Sequence, residues 1–276
     1  NSAEGNSAPP VDRGPSLTPS PLLAQRLNKA EKQLEENNLL AARSLARRVV
    51  EELEPGHRFS ERWHNAVAVI NQANERLFNS DAPAPEKVKY RIKRGDTLSS
   101  VADKFDTTIA AIQRSNDLDP TNPTIYPGDV LSIYEGDWRI VVYRDEFLLL
   151  LYDSEKIFKT YPAGIGRQRR TPKGVFEIKN KLREPAWTPP GKVIPYGNEE
   201  NVLGTRWLGL RPIEDTDENL TGYGIHGTWE PETVGTAASE GCVRLVNADF
   251  NELFNIVTVG TRVVIKDAKN AYSVGF

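Results

Sequence analysis

The sequence predicts a multidomain α+β protein: a helical N-terminal domain, a compact βααβ module and a mostly-β C-terminal sandwich. Three observations predict this. Apolar residues recur at helical spacing between positions 21 and 79. After position 137 they alternate or form short runs bounded by glycine and proline. A Pro/Ala-rich segment separates the two patterns, and a chain of 276 residues is long enough for two or three domains.

The composition excludes some function classes. The chain has 38 acidic and 35 basic side chains and a net charge of -3, which argues against a nucleic-acid partner. It has no run of about 18 apolar residues, so no membrane span is predicted. The first residue is Asn1, and we expect any signal peptide or membrane anchor to lie upstream of it. A single cysteine cannot form an internal disulfide, which fits both the cytoplasm and an exported bacterial protein.

Residues 1–20 are rich in proline and serine and predict a disordered leader. Residues 21–79 predict a helical domain, because Ser20-Pro21 and Ser60 are helix-start signals and apolar stripes follow them. The segment NLLAARSLARRVV loosely resembles a tetratricopeptide-type hairpin, and a plain helical bundle is the alternative. A protein partner is a candidate ligand of this domain.

Residues 80–87 predict a linker, and residues 88–136 predict a βααβ unit. Tyr90 and Ile92 alternate as in a strand, Gly95-Asp96 forms a turn, and two short helices and a final strand follow.

This unit resembles a LysM domain along its whole length, through Tyr90-x-Ile92, Gly95-Asp96-Thr97-Leu98 and Pro127-Gly128-x-x-Leu131. The resemblance implies binding of N-acetylglucosamine-containing glycans such as peptidoglycan. A LysM fold that only spaces its neighbours is the alternative. The implied glycan-binding residues are Gly95, Asp96, Thr97, Leu98, Tyr126 and Pro127.

Residues 137–276 predict a curled sheet or sandwich. Trp138, Ile140 and Val142 alternate, and FLLLLYD at 147–153 forms a continuous apolar strand. One helix is predicted to begin near Asn247.

The stretch HGTWEPETVGTAASEGCVRL contains the chain's one cysteine, Cys242, sixteen positions after His226. An imidazole near a thiol can take its proton and activate the sulfur, and backbone amides can hold the resulting oxyanion. Gly227 and Gly241 flank the two residues and permit sharp turns. Spacing alone leaves open whether the two side chains meet, and two ordinary core residues remain the alternative.

The pattern His226-Gly227-Thr228 followed by Ser239-x-Gly241-Cys242-Val243-Arg244 resembles the signature of the L,D-transpeptidases with a YkuD-type catalytic domain. Thr171-Pro172-Lys173-Gly174 resembles a second motif of that family. The resemblance implies a cysteine acyltransferase that needs no metal or cofactor.

The resemblance also implies roles for individual residues. Cys242 is the nucleophile, His226 is the general base and the Gly227 carbonyl orients the imidazole. The amides of Gly241 and Cys242 form part of the oxyanion hole, and Ser239 hydrogen-bonds within the site. Arg244 holds the loop or a substrate carboxylate, with a structural ion pair as an equal alternative. The predicted substrate contacts are Tyr223, Trp229 and Glu240.

Glu240 departs from the family pattern, which has histidine there. A carboxylate so close to the thiol would raise its pKa unless it points away or pairs with a cation. Arg167, Arg169, Arg170 and Lys173 form a basic cluster whose charges could meet peptide carboxylates or simply face solvent. A metal site of His226, Glu240 and Cys242 is a weak alternative, because no other His or Cys supports it.

The resulting prediction is an exported bacterial cell-wall enzyme of the periplasm or wall, with peptidoglycan stem peptides and glycan as its partners. It would form 3→3 cross-links through a thioester. Water as acceptor would make it an L,D-carboxypeptidase, and a protein amine would make it an anchoring enzyme. The alternatives are a glycan-binding scaffold with a degenerate catalytic domain and a thiol peptidase with another substrate.

Overall fold

The computed structural model describes residues 21–53, 55–189 and 191–268, so the predicted leader at 1–20 lies outside the described residues. Over these ranges the predicted fold class is confirmed: three helices, a βααβ module, and a curled sheet with one α-helix of 10 residues. No helix within the described ranges is long and apolar enough to cross a membrane. The helices are α1 (Pro21–Glu35), α2 (Leu39–Glu52), α3 (Glu61–Phe78), α4 (Leu98–Lys104), α5 (Ile109–Ser115) and α6 (Asn247–Ile256). The strands are β1 (Lys87–Arg91), β2 (Val130–Tyr134), β3 (Trp138–Tyr143), β4 (Leu148–Asp153), β5 (Lys156–Pro162), β6 (Ile165–Gly166), β7 (Gly174–Arg183), β8 (Arg206–Pro212), β9 (Gly224–His226), β10 (Ala237–Ser239), β11 (Val243–Arg244) and β12 (Arg262–Lys266).

The first three helices share a core of their own. Ala30, Ala46 and Ile70, one from each helix, are fully buried in it. Helix α3 begins where the Ser60 hydroxyl accepts a hydrogen bond from the Trp63 N–H at 3.3 Å. The small alanines allow the three helices to pack closely.

Helix α3 is buried on a second face as well. Trp63 and Val67 pack against apolar side chains of β3 and β4. The Asn71 side chain donates to the Thr160 hydroxyl at 3.0 Å and accepts from the Thr160 N–H at 3.1 Å. The helical unit is therefore attached to the sheet by both apolar and polar contacts.

Burial on both faces explains the continuous apolar run in β4. Leu149 and Leu151 lie in the main core, whereas Leu148 and Leu150 lie in the cluster formed with α3. A strand with one solvated face would alternate apolar and polar residues, and this strand has no such face. The FLLLLYD segment thus reflects the contact with the helices.

Eight strands form one mixed sheet in the order β11-β9-β8-β7-β12-β3-β4-β5. Phe250 and Leu253 of α6 are fully buried against this sheet and form the main core with it. Strands β6 and β10 form a separate parallel pair. The sheet ends at β11 on one side and at β5 on the other, and the short strands β9 and β11 lie at the first of these ends.

The βααβ module follows the predicted order. Strands β1 and β2 pair antiparallel, and Thr97 and Ser100 form a reciprocal capping box at the start of α4. Ile92, Ile112 and Ile133 belong to the module's own core.

The module is packed against both of its neighbours. The Ser115 hydroxyl donates to the Phe78 carbonyl of α3 at 2.7 Å. The Thr108 hydroxyl donates to the Asn255 carbonyl of α6. Ala111 of α5 lies in the main core. The module thus contacts the first helical unit and the sheet unit at the same time.

Asn74 of α3 joins the helical unit to the sheet, and it supports a prediction about stability. Its side chain is fully buried, accepts from Arg43 at 3.0 Å and donates to the Phe158 carbonyl at 2.7 Å. Asn74→Ala leaves a buried guanidinium nitrogen and a buried carbonyl without this partner, so we expect a loss of about 1–3 kcal/mol in the free energy of unfolding. Urea unfolding measures this. Gln72→Ala, at an exposed position of the same helix, is the control, and an equal loss in both variants would contradict the prediction.

Candidate active site

His226 and Cys242 are brought together by a parallel strand pair at one end of the sheet. Arg244 of β11 lies opposite His226 of β9, and Val243 lies opposite Ile225. Cys242 directly precedes β11, so its backbone lies two positions along from the level of His226. The segment between His226 and Cys242 leaves the sheet, forms β10 and then returns to the sheet at β11. Residues sixteen positions apart in the sequence therefore lie on neighbouring strands.

The imidazole of His226 is held in one orientation. Its Nδ1 lies 2.5 Å from the Gly227 carbonyl oxygen, and the residue is only 2% exposed. Because a carbonyl can only accept, Nδ1 carries the proton and Nε2 keeps its lone pair. The Trp207 ring stacks on the imidazole with centroids 5.8 Å apart and planes 25° apart. The ring therefore presents a basic nitrogen in a fixed position.

Burial keeps this histidine neutral. It lowers the pKa of the His226 imidazole to about 4, and the Arg244 guanidinium lowers it further. Hydrogen bonds with the backbone of Gly227 and Leu203 act in the opposite direction but do not restore the usual value. At pH 7 the imidazole can accept a proton.

The thiol of Cys242 is also neutral. Burial raises its pKa to about 11, and the Gly224 backbone and the Arg244 guanidinium offset this only in part. The Sγ atom lies 4.0 Å from the Gly222 carbonyl oxygen. Within the described residues the thiol and the imidazole form no hydrogen bond to each other. The free site thus holds a thiol and a neutral base rather than a preformed thiolate–imidazolium pair.

Ser239 determines the shape of the turn before the nucleophile. Its hydroxyl donates to the Cys242 carbonyl at 2.6 Å and accepts from the Gly241 N–H at 3.1 Å. The Gly241 amide is therefore engaged in this conformation. No hydrogen bond within the described residues uses the Cys242 N–H. Of the two amides predicted for an oxyanion hole, the one at Cys242 is available.

Arg244 forms the ion pair that was one of its two predicted roles. Its Nη1 lies 3.1 Å from an oxygen of Glu230, and the side chain is largely buried. Its charge acts on both His226 and Cys242. Arg244 therefore connects the loop after β9 to the strand that follows the nucleophile.

The Glu240 carboxylate is paired with two cations. Its carboxylate forms ion pairs with both Arg167 and Arg170, and all three side chains are about half exposed. Glu240 is not among the groups that shift the pKa of the Cys242 thiol. Glu240 thus meets the condition under which the sequence analysis expected it not to raise the thiol pKa, and the rise that is present comes from burial.

The basic cluster of the sequence is divided between two acidic partners. Arg169 and Lys173 lie 3.9 Å and 3.8 Å from Asp267. Asp267 accepts bidentate hydrogen bonds from Arg144, which also donates to the Thr171 carbonyl at 2.6 Å. The sequence analysis did not single out Arg144 and Asp267. They are 123 positions apart, and neither carries a local motif.

The other predicted substrate contacts lie near the site with different exposure. The Tyr223 ring lies against Gly241, so that a Cβ on that glycine would be 2.8 Å from the ring. Trp229 is 54% exposed and follows β9 by three residues. The side chain of Trp229 is available to a ligand, and Tyr223 supports the turn that carries the nucleophile.

Some of the predicted glycan-binding residues of the βααβ module are engaged within the protein, whereas Tyr126 is exposed. Asp96 accepts hydrogen bonds from the Tyr90 hydroxyl at 2.9 Å and from the Lys93 N–H at 2.8 Å. Thr97 caps α4, and Leu98 is buried. Tyr126, which precedes Pro127, is 64% exposed. The turn that begins at Gly95 uses its side chains internally, so Tyr126 is the aromatic surface that a sugar could contact.

No group of three His, Cys, Asp or Glu residues within the described part of the chain could hold a metal ion. The carboxylate of Glu240 turns toward arginines and does not join His226 and Cys242.

Comparison with known proteins agrees with both resemblances. The family model described as the L,D-transpeptidase catalytic domain, YkuD, matches residues 137–265. The LysM domain model matches residues 90–133. The chain is similar to a Bacillus licheniformis protein that bears the name L,D-transpeptidase YkuD: the two are 34% identical over 183 residues, which is 64% of this chain and 97% of the relative. The protein of that name from Bacillus subtilis is also 34% identical, over 182 residues, with the same coverage. Among solved structures, the catalytic domain of an E. faecium L,D-transpeptidase is 27% identical, with a TM-score of 0.37 over 48% of this chain and 98% of that chain.

Proposed function

The chain belongs to the YkuD-type L,D-transpeptidase family, and we propose that it forms 3→3 peptidoglycan cross-links through a thioester on Cys242. One observation carries the proposal. His226 presents a basic Nε2 on the strand beside Cys242, because the Gly227 carbonyl holds the proton on Nδ1. A positioned base next to a nucleophile is the arrangement that acyl transfer requires.

In the first half-reaction the Cys242 sulfur attacks the carbonyl that follows the diamino acid of a tetrapeptide stem. His226 Nε2 takes the thiol proton as the carbon–sulfur bond forms. Because both groups are neutral before the reaction, the imidazolium and the oxyanion arise only as the carbon–sulfur bond forms. The Cys242 N–H donates to the developing oxyanion.

The tetrahedral intermediate then breaks its carbon–nitrogen bond. His226 gives the proton to the departing nitrogen, D-alanine leaves, and a thioester remains on Cys242. In the second half-reaction the side-chain amine of another stem attacks the thioester carbonyl, and His226 removes a proton from that amine. The carbon–sulfur bond then breaks, the cross-linked product leaves, and His226 returns the proton to the Cys242 sulfur. Water in the same position would give an L,D-carboxypeptidase, and a protein amine would give an anchoring enzyme.

The LysM domain supports a cell-wall setting for this chemistry. The LysM and catalytic domains together imply peptidoglycan binding. We therefore place the protein outside the cytoplasmic membrane, with glycan bound near Tyr126 and stem peptides at Cys242. Binding of the glycan raises the local concentration of stems around the nucleophile.

The test of this proposal is the intact mass of the protein after incubation with a carbapenem. A strained β-lactam carbonyl acylates an activated nucleophile and is released slowly. We expect a stoichiometric adduct on the wild type and none on Cys242→Ala. A wild type without adduct that still binds peptidoglycan in a pull-down would contradict the proposal and favour a scaffold with a degenerate catalytic domain.

A further inference from the structure

Two arginines converge on one carboxylate beside the nucleophile. Arg167 and Arg170 both form ion pairs with Glu240, two positions before Cys242. The exposed fractions of the three side chains are 53%, 47% and 63%, so a ligand from solvent can reach all of them. The proposed mechanism does not use these three charges.

The fold places this charge cluster at the edge of the reaction centre. Strand β6 pairs in parallel with β10, so that Gly166 lies opposite Ser239. Arg167 and Glu240 each follow directly on one of these paired residues. The Arg170 carbonyl oxygen would lie 3.4 Å from a Cβ on Gly241, the residue next to the nucleophile.

The backbone between the two arginines separates them from their basic neighbour. Gln168 and Arg169 have φ values of 53° and 59°, in the left-handed region, and the chain reverses there. Arg167 and Arg170 consequently reach the same carboxylate, whereas Arg169 lies 3.9 Å from Asp267 on another side of the turn.

We propose that Arg167 and Arg170 bind the C-terminal carboxylate of the residue that leaves the acyl donor, and that Glu240 occupies this site in the free protein. The inference rests on the proposed transpeptidase function. In a tetrapeptide stem that carboxylate lies about 4 Å beyond the scissile carbonyl, the length of one residue. Arginine side chains that start beside the nucleophile reach that distance easily.

The chemistry of the cluster favours this role. Guanidinium groups present several N–H donors that match the two oxygens of a carboxylate. Exposed ion pairs contribute little stability because water competes for both partners, so a substrate carboxylate can displace Glu240. The site would select donors that end one residue after the scissile bond in a free carboxylate. Donors that end in an amide would be poor substrates.

The experiment compares a tetrapeptide stem that ends in D-alanine with the same peptide ending in D-alaninamide. The measured quantity is kcat/KM for release of the terminal residue, by mass spectrometry. We expect kcat/KM of the wild type to be at least about tenfold higher for the peptide ending in D-alanine, since a charge-assisted hydrogen bond strengthens binding by more than about tenfold. Glu240→Gln should lower KM for the acid and keep the preference, because it removes the competing carboxylate.

The decisive variant replaces both arginines in a protein that already carries Glu240→Gln. We expect Glu240→Gln/Arg167→Gln/Arg170→Gln to use both donors with similar kcat/KM. The matched control is Glu240→Gln/Arg169→Gln, which removes one positive charge from the same turn and should keep the preference for the acid.

Two results would overturn the inference. The first is a wild type that uses acid and amide equally. The second is a triple variant that loses activity on both donors to the same extent, because that result indicates a structural role. Failure of the proposed function itself gives a different result: neither donor and no carbapenem would acylate Cys242 in any variant.

Discussion

Replacing His226 with glutamine is expected to lower the rate of Cys242 acylation by roughly 10²–10⁴-fold at pH 7, the range typical of a lost general base. Glutamine can keep a hydrogen bond to the Gly227 carbonyl, but its amide does not accept a proton near neutral pH. The thiol, with its pKa raised to about 11, would then react only through its small thiolate fraction. Stopped-flow measurement of carbapenem acylation gives the rate constant.

The pH dependence distinguishes loss of the base from general damage to the site. Lowering the pH through the His226 pKa of about 4 protonates the base, so the wild-type acylation rate should fall below about pH 5. It should be flat from there to about pH 10. In His226→Gln the rate should instead rise about tenfold per pH unit up to the thiol pKa of about 11, because the thiolate fraction rises in that way.

A flat pH profile in His226→Gln would contradict the assignment of His226 as the base. Circular dichroism and the midpoint of thermal unfolding serve as fold controls, since His226 is buried and packs against Trp207. A variant that remains folded, with an altered pH profile, localises the effect to proton transfer.

Gly241→Ala is expected to reduce acylation by roughly 10²-fold or more, comparable to the loss of an oxyanion donor. Gly241 has a φ of 145°, a backbone conformation that residues with a Cβ rarely adopt. An added Cβ would lie 2.8 Å from the Tyr223 ring and 3.4 Å from the Arg170 carbonyl oxygen. The turn must shift to relieve this overlap, and the sulfur and amide of Cys242 shift with it.

Gly235→Ala is the matched control in the same segment. Its φ of 84° makes the backbone strain comparable, about 1–3 kcal/mol, but no atom lies within 4 Å of the added Cβ. We expect this variant to be less stable and to be acylated at close to the wild-type rate. If both variants lost acylation equally, strain rather than the position of the turn would be the cause.

The sequence was sufficient to predict the fold class, and it singled out Cys242 and His226 as the candidate nucleophile and base. A lone cysteine in a recognisable motif identified Cys242, and Gly227 beside His226 indicated how the imidazole is oriented. The neighbouring positions of Cys242 and His226 depend on the parallel pairing of β9 with β11, and strand pairing across a loop is a property of the whole sheet. The sequence analysis tied a raised thiol pKa to an unpaired Glu240, whereas burial, which no local motif reveals, raises this pKa beside a paired Glu240.

Long-range partners account for most of what the sequence did not reveal. Arg167 and Arg170 lie 73 and 70 positions from Glu240, so their ion pairs depend on the pairing of β6 with β10. The stripe of apolar residues on α3 predicted a buried face. It did not indicate that Trp63 and Val67 would be covered by the sheet while Ile70 faces the other helices.

Under the proposed function, the contacts that fix the LysM module between α3 and α6 determine which stems reach Cys242. Ser115, Thr108 and Ala111 hold the module through polar and apolar contacts on two sides. A binding domain on a loose tether would present every stem within reach. A docked domain that binds glycan as proposed would hold the strand at one angle to Cys242, so only stems that project toward the nucleophile would reach it. Stems would then be selected by the direction in which they project from the glycan strand. Loosening the docking contacts would widen the range of stems used and leave the rate of reaction with a free peptide unchanged.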